Sequence, residues 1–157
     1  TCVGAGPFVA EKGMSESWRE ELRQAGGEYG AATGRPRRVG PFDAVASRYG
    51  LKCQNADQIA LTKLDVLSSL KEIPLIIAYQ KGAEKITEFD PTEDMDNCIP
   101  VIEMVPGWQE DISGCRTYEE LPKNAKNYIE TLERLLNHKI QMISVGARRD
   151  QYLMKEI

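Results

Sequence analysis

Gln58-Ile59-Ala60-Leu61-Thr62-Lys63-Leu64-Asp65 is apolar at Ile59, Ala60 and Leu61 and polar immediately after. The run fits a short buried strand of a mostly parallel sheet, with Thr62-Lys63-Leu64-Asp65 at its carboxyl end. Lys139 to Ile143 reads as another short strand, ending in Ser144-Val145-Gly146. In open α/β sheets ligands gather beyond the carboxyl ends of strands, which makes both ends candidate binding positions. An ionised Asp65 can accept from two adjacent donors, and guanine offers its N1 hydrogen beside its 2-amino group where adenine offers no such pair. Lys63 can lay its stem along the base, and backbone NH groups of Ser144 to Gly146 can donate to the 6-oxo group. The alternative is a salt-bridged Lys-x-Asp beside an ordinary glycine turn.

Outward from these strands the pattern stays α/β. Ala125, Tyr128, Ile129, Leu132, Leu135 and Leu136 recur at helical spacing behind Pro122, predicting a long amphipathic helix. Pro74 to Tyr79 and Lys85 to Phe89 read as two strands of a hairpin turning at Lys81-Gly82, with Pro74 at the first strand's start. Val101 to Val105 reads as a further strand closed by Pro106-Gly107, and residues 90 to 98 as an exposed loop. Towards the amino end, Phe42, Val45, Ala46 and Tyr49 predict a helix closed by Gly50, with Asp43 in its first turn. Ser15 is a plausible N-cap for a helix that ends at Gly26-Gly27, and residues 1 to 14 read as loop. Trp108 to Arg116 has no usable periodicity.

Between the first two helices lies Gly27-Glu28-Tyr29-Gly30-Ala31-Ala32-Thr33-Gly34-Arg35-Pro36-Arg37-Arg38-Val39-Gly40. Its four glycines permit positive φ and close approach to a ligand, and its three arginines match carboxylate or phosphate oxygens bidentately. Pro36 argues against a helix interior or an inner strand. The stretch reads as an anion-binding loop, with a solvated basic turn as the alternative.

With 157 residues, 41% apolar and 28% charged, the expectation is one domain over 1–157. A formal charge of −4 argues against bulk attraction to nucleic acid or an anionic membrane. No run approaches the roughly 18 to 20 apolar residues that span a bilayer, and Thr1-Cys2-Val3-Gly4 is no signal n-region, so the expected compartment is the cytosol. Cys2, Cys53, Cys98 and Cys115 are far apart and His138 is the single histidine, which argues for free thiols and against zinc. No G-x-x-x-x-G-K-[ST] loop occurs. The chain begins without methionine, and Gly4-Ala5-Gly6-Pro7-Phe8 reads like the interior of a larger protein.

Six segments, in order, resemble one family. Gly4-Ala5-Gly6-Pro7-Phe8, Gly27-Glu28-Tyr29-Gly30, Thr33-Gly34-Arg35-Pro36-Arg37-Arg38, Ala60-Leu61-Thr62-Lys63-Leu64-Asp65-Val66-Leu67, Pro106-Gly107-Trp108 and Ile143-Ser144-Val145-Gly146 are similar to adenylosuccinate synthetase, in the carboxy-terminal third or so of that protein. The resemblance implies the carboxy-terminal part of a mostly parallel-sheet nucleotide-binding α/β fold. It implies a cytoplasmic, homodimeric ligase of purine biosynthesis that phosphorylates the 6-oxygen of IMP from GTP and displaces the phosphate with the amino group of L-aspartate. Ala31, Ala32, Thr33, Gly34, Arg35, Pro36 and Arg37 then form the substrate loop, with Arg35 also near IMP and Arg37 near both aspartate and GTP. Lys63, Leu64, Asp65, Ser144, Val145 and Gly146 form the guanine-reading segment. The catalytic aspartate and histidine, the phosphate loop and the Mg2+ ligands are expected upstream, leaving no catalytic or metal residue in this chain and an isolated fragment that is inactive. Ala32 stands where the family often has a second threonine, Cys2 where arginine is usual, and Pro41 where an aromatic residue is common. The rival expectation is a non-enzymatic module that binds an anion or RNA through Arg35 to Arg38; the negative charge and the lack of interleaved aromatic residues count against it.

Overall fold

The computed structural model describes residues 1–156. Helix α1, Glu16–Gly26, begins where Ser15 Oγ accepts the Trp18 amide at 3.3 Å and ends at Gly27, whose φ of 60° favours glycine. Strand β1 is the dipeptide Phe42–Asp43, and α2 follows at Ala44–Gln54. The sequence places Asp43 in the first turn of a helix that already includes Phe42. The structure instead makes Asp43 a cap, its Oδ1 accepting the Val45 and Ala46 amides at 3.0 Å each while Oδ2 accepts the Tyr79 hydroxyl at 2.6 Å. Burial raises the Asp43 carboxyl above its ordinary range against the pull of these bonds, and burial beside Asp43 pushes the Tyr79 phenol up strongly. Gly50 does not close α2, because an isolated glycine inside a helix costs only about 1 kcal/mol.

Strand β2, Ile59–Leu61, is followed by a 3-10 turn at Leu64–Leu67. Strands β3, Glu72–Lys81, and β4, Glu84–Ile86, form the expected hairpin, with Gly82 at φ 58° in the turn. Pro74 sits two residues inside β3 rather than at its start, and β4 stops short of Phe89. Residues 90 to 98 form the expected, mostly exposed loop, with a 3-10 turn at Met95–Asn97, and are anchored by the buried Met95 and Cys98. Strand β5 is Ile99–Pro106, helix α3 is Lys123–Leu136, β6 is Ile140–Ser144 and β7 is Tyr152–Met154. Helix α3 buries Ala125, Tyr128, Ile129, Leu132 and Leu136 as its periodicity demands, and ends at Asn137 in the left-handed region.

The architecture is mixed α/β with two sheets. In one, β3 has parallel β1 and antiparallel β4 as neighbours, and β5 also pairs with β3. In the other, β6 lies between parallel β2 and antiparallel β7. By contacts the chain divides into two compact units, one made of Thr1–Tyr49 with Pro74–Glu103 and the other of Gly50–Ile73 with the residues from Met104 onward. The first has its core at Val9, Ala10, Val45, Ile76, Tyr79, Met95 and Cys98. In the second, Trp108 packs edge-on to Tyr128 at 6.0 Å and donates to Ser68 Oγ at 3.1 Å. Gly107 comes so close to the Leu70 carbonyl that a Cβ would sit 1.9 Å from its oxygen, which gives the Pro106-Gly107-Trp108 motif a packing role. All four cysteines are free thiols, and burial pushes the thiols of Cys98 and Cys115 up. Among the described residues no helix is long and apolar enough to cross a membrane.

Candidate functional site

In the first unit the arginine stretch forms a miniature hairpin. The Arg37 amide donates to the Glu28 carbonyl at 2.9 Å, the Gly30 amide to the Arg35 carbonyl at 2.8 Å, and Tyr29 bridges Pro36 in antiparallel register. At the tip, the Gly34 amide donates to the Gly30 carbonyl at 2.7 Å and Gly34 takes a φ of 64°, a conformation that favours glycine. Ala31, Ala32, Thr33, Gly34, Arg35 and Pro36 are exposed, and Arg37 is half-buried. The hydroxyl of Thr33 accepts the Arg35 amide at 3.3 Å, so one threonine suffices to brace the tip beside Ala32.

The three arginines have separate surroundings. The guanidinium of Arg38 pairs with Glu11 at 2.7 Å, donates to the Gly6 carbonyl at 2.8 Å and lies 5.3 Å over the Phe8 ring. Arg37 pairs with Glu28 at 3.1 Å. Arg35 has no partner for its guanidinium among the described residues and stands in solvent. A charge cluster in the sequence is thus one free cation, one held cation and one built into the fold.

In the second unit the two strand ends singled out by the sequence are neighbours. β2 and β6 run parallel, and the Lys63 amide donates to Ser144 Oγ at 2.8 Å. That bond holds Lys63 at φ 61°, turning the chain out of β2 into the 3-10 turn that carries Leu64 and Asp65. Leu64 and Val145 are buried, so their side chains serve packing and any ligand would meet their backbone. Asp65 Oδ1 is buried with no hydrogen-bond partner among the described residues. The Val145 amide donates to the Gln151 carbonyl at 3.0 Å and so is engaged within the fold. Gln151 also accepts the Arg148 amide at 2.9 Å and donates to the Ser113 carbonyl at 3.1 Å, with Gly146 so close to it that a Cβ there would overlap its amide.

The family model for adenylosuccinate synthetase matches residues 1–153. The chain belongs to the adenylosuccinate synthetase family. It is 49% identical over 155 residues to the synthetase of Trichlorobacter lovleyi and 46% over 156 residues to that of Saccharopolyspora erythraea, covering 98% and 99% of this chain and 36% of each relative. A fully ligated adenylosuccinate synthetase from Plasmodium falciparum superposes with a TM-score of 0.89 at 41% identity, over 98% of this chain and 37% of that one. The chain thus spans little more than a third of these synthetases.

Sequence reasoning gave no role to Glu28 or Gln151. Glu28 meets Arg37 only through the hairpin's register, nine positions apart, and Gln151 acts through a turn before a strand too short to show periodicity. His138 follows α3, with its Nδ1 3.1 Å from the Leu136 carbonyl.

Proposed function

We propose that this chain is the substrate- and guanine-reading part of a GTP-dependent ligase that joins IMP and L-aspartate into adenylosuccinate, in a cytoplasmic homodimer. One observation carries the reading: Asp65 Oδ1 is buried and unpartnered beside the strand ends that Lys63 and Ser144 tie together. A buried carboxylate oxygen without a donor costs free energy unless a ligand supplies one, and guanine supplies two adjacent NH donors. The exposed Arg35 and the half-buried Arg37 offer guanidinium forks to the carboxylates of aspartate and to phosphate oxygens. In this reading the chain binds and orients: Arg35 and Arg37 hold the aspartate whose amino group attacks C6, while Lys63, Asp65 and the Gly146 backbone fix the GTP base.

Among the described residues no three histidines, cysteines or carboxylates form a group that can hold a metal ion. The reading assigns the magnesium ligands to the part of the ligase outside this chain, and no step here runs through the ion.

Asp65→Asn in the full-length ligase carrying this sequence tests the reading. The amide can donate to the 2-oxo group that xanthine carries where guanine has its amine. The expected outcome is a loss in kcat/KM for GTP of about 30- to 150-fold, matching about 2 to 3 kcal/mol for a charge-assisted pair, with a gain for XTP. GTP within a few-fold of its starting value, with no gain for XTP, overturns the assignment of Asp65.

A further inference from the structure

We propose that Glu28 is a positioning residue for Arg37, holding its guanidinium in the orientation that receives the anionic substrate. The inference rests on the reading of Ala31 to Arg37 as the substrate loop. Glu28 is only 8% exposed, which is rare for a carboxylate unless a partner compensates its desolvation. Its partner is Arg37, whose terminal nitrogen donates to Glu28 Oε2 at 3.1 Å.

The pair sits in a three-point clamp on Arg37. The Arg37 amide donates to the Glu28 carbonyl at 2.9 Å, and the Arg37 carbonyl accepts Nε of the buried Arg23 at 2.9 Å. The Glu28 amide in turn donates to the Arg23 carbonyl at 2.9 Å, which ties the hairpin's base to the end of α1. Arg23 is itself paired with Glu16 and Glu20. Backbone and guanidinium of Arg37 are therefore both fixed before any ligand arrives.

Two features make this an arrangement for binding rather than a pair closed on itself. A guanidinium has five NH donors, so a carboxylate at one terminal nitrogen leaves others available. Arg37 Nε is buried with no partner among the described residues, and a third of the side chain remains accessible at 34%. An unrestrained arginine loses rotamer freedom when it grips a ligand, and a carboxylate behind it removes that loss in advance. Arg35 has no such support, and Arg38 is fixed by Glu11 against the first residues of the chain. Arg38 is 29% accessible, close to the value for Arg37, but its guanidinium is taken up by Glu11, the Gly6 carbonyl and the Phe8 ring, so Arg37 is the restrained arginine with donors left for a ligand.

The test is a double-mutant cycle in the full-length ligase carrying this sequence, with KM read for aspartate and for IMP. Glu28→Gln keeps the size and the hydrogen-bonding oxygen but removes the charge. The expected result is an aspartate KM raised about tenfold with kcat within about twofold and IMP KM unchanged, the scale at which outer partners tune ligand-holding side chains. In an Arg37→Leu background the same substitution should add nothing, because Glu28 acts only through Arg37. An aspartate KM that does not respond to Glu28→Gln, an equal rise in both KM values, or an undiminished effect in the Arg37→Leu background overturns the proposal. If Glu28→Gln does not fold, Glu28→Asp enters the same cycle with the same criteria. If Arg37→Leu alone leaves aspartate KM unchanged, the substrate-loop reading fails and this proposal with it; if Arg37→Leu raises it and Glu28→Gln does not, the proposal alone fails.

Discussion

Arg35 and Arg38 stand three positions apart with the same charge, yet only Arg38 has its guanidinium committed to the protein, through Glu11, the Gly6 carbonyl and the Phe8 ring. Substituting them should therefore have opposite consequences. Arg35→Leu in the full-length ligase should lower kcat/KM for aspartate by at least about 30-fold, since losing a cation that grips a carboxylate costs 2 kcal/mol or more, while the denaturation midpoint stays put. Arg38→Leu should leave kcat/KM within about threefold but cost about 1 kcal/mol of stability, the upper end for a partly exposed ion pair. Steady-state kinetics and urea denaturation of the two variants decide it. Equal kinetic effects would mean that the cluster acts as undifferentiated charge. The sequence locates the cluster because arginine, glycine and proline are local signals. It cannot sort the three arginines, because Glu11 and Phe8 reach Arg38 from some thirty residues away.

Helix α3 was legible because a periodic apolar face, a proline at its entry and an amphipathic length all act within the segment itself. Strands β2, β3 and β6 were legible because each carries a run of apolar residues within the segment. β1 was not, since its two residues form a strand only by pairing with β3, and β7 was not singled out although Tyr152, Leu153 and Met154 are as apolar as Ile59 to Leu61 of β2. Nor does helical spacing reveal that Glu133 is buried on the apolar side of α3. Its Oε1 accepts the Ile140 amide at 2.9 Å and its Oε2 pairs with Lys155 at 2.8 Å and Lys139 at 3.5 Å, joining helix end to strand start. Burial pushes the Glu133 carboxyl up, but the bonds from Lys155 and Ile140 and the charges of Lys155 and Lys139 outweigh it, leaving it below the ordinary glutamate value. A depressed carboxyl pKa contributes stability that is complete above the unfolded value, near about 4.3, and is lost as pH falls through the folded value. Acidification through that window should thus lower the urea midpoint of the native chain more than that of Glu133→Gln, which has no proton to bind there. Parallel pH profiles for the two proteins would remove Glu133 from the acid sensitivity of α3 and β6.

At the scale of the whole chain, the proposed reading makes these residues recognition groups and assigns nucleophile activation and polyphosphate binding to the rest of the ligase. The single histidine ends α3 against the Leu136 carbonyl, no phosphate-loop pattern occurs in the sequence, and no metal-binding group of three exists among the described residues. An RNA-binding role for the arginines is disfavoured by a chain charge of −4 and by the carboxylates already paired to Arg37 and Arg38, and RNA binding that weakened steeply with added salt would revive it. The chain covers 36% of each of two relatives, which leaves room for the catalytic parts in the rest of a full-length synthetase. The purified 157-residue chain, folded by circular dichroism and supplied with IMP, aspartate, GTP and magnesium, should therefore form no adenylosuccinate above the uncatalysed background, while the full-length ligase does so under the same conditions. Positioning alone can contribute several kcal/mol to a reaction, but only to groups held against one another, and the proposed reading leaves the base for the 6-oxygen and the cradle for the transferred phosphate to the rest of the ligase. Turnover by the isolated chain in the ordinary enzymatic range, about 1 per second or faster, would show that the catalytic groups lie within these residues and would overturn the division between recognition here and chemistry elsewhere.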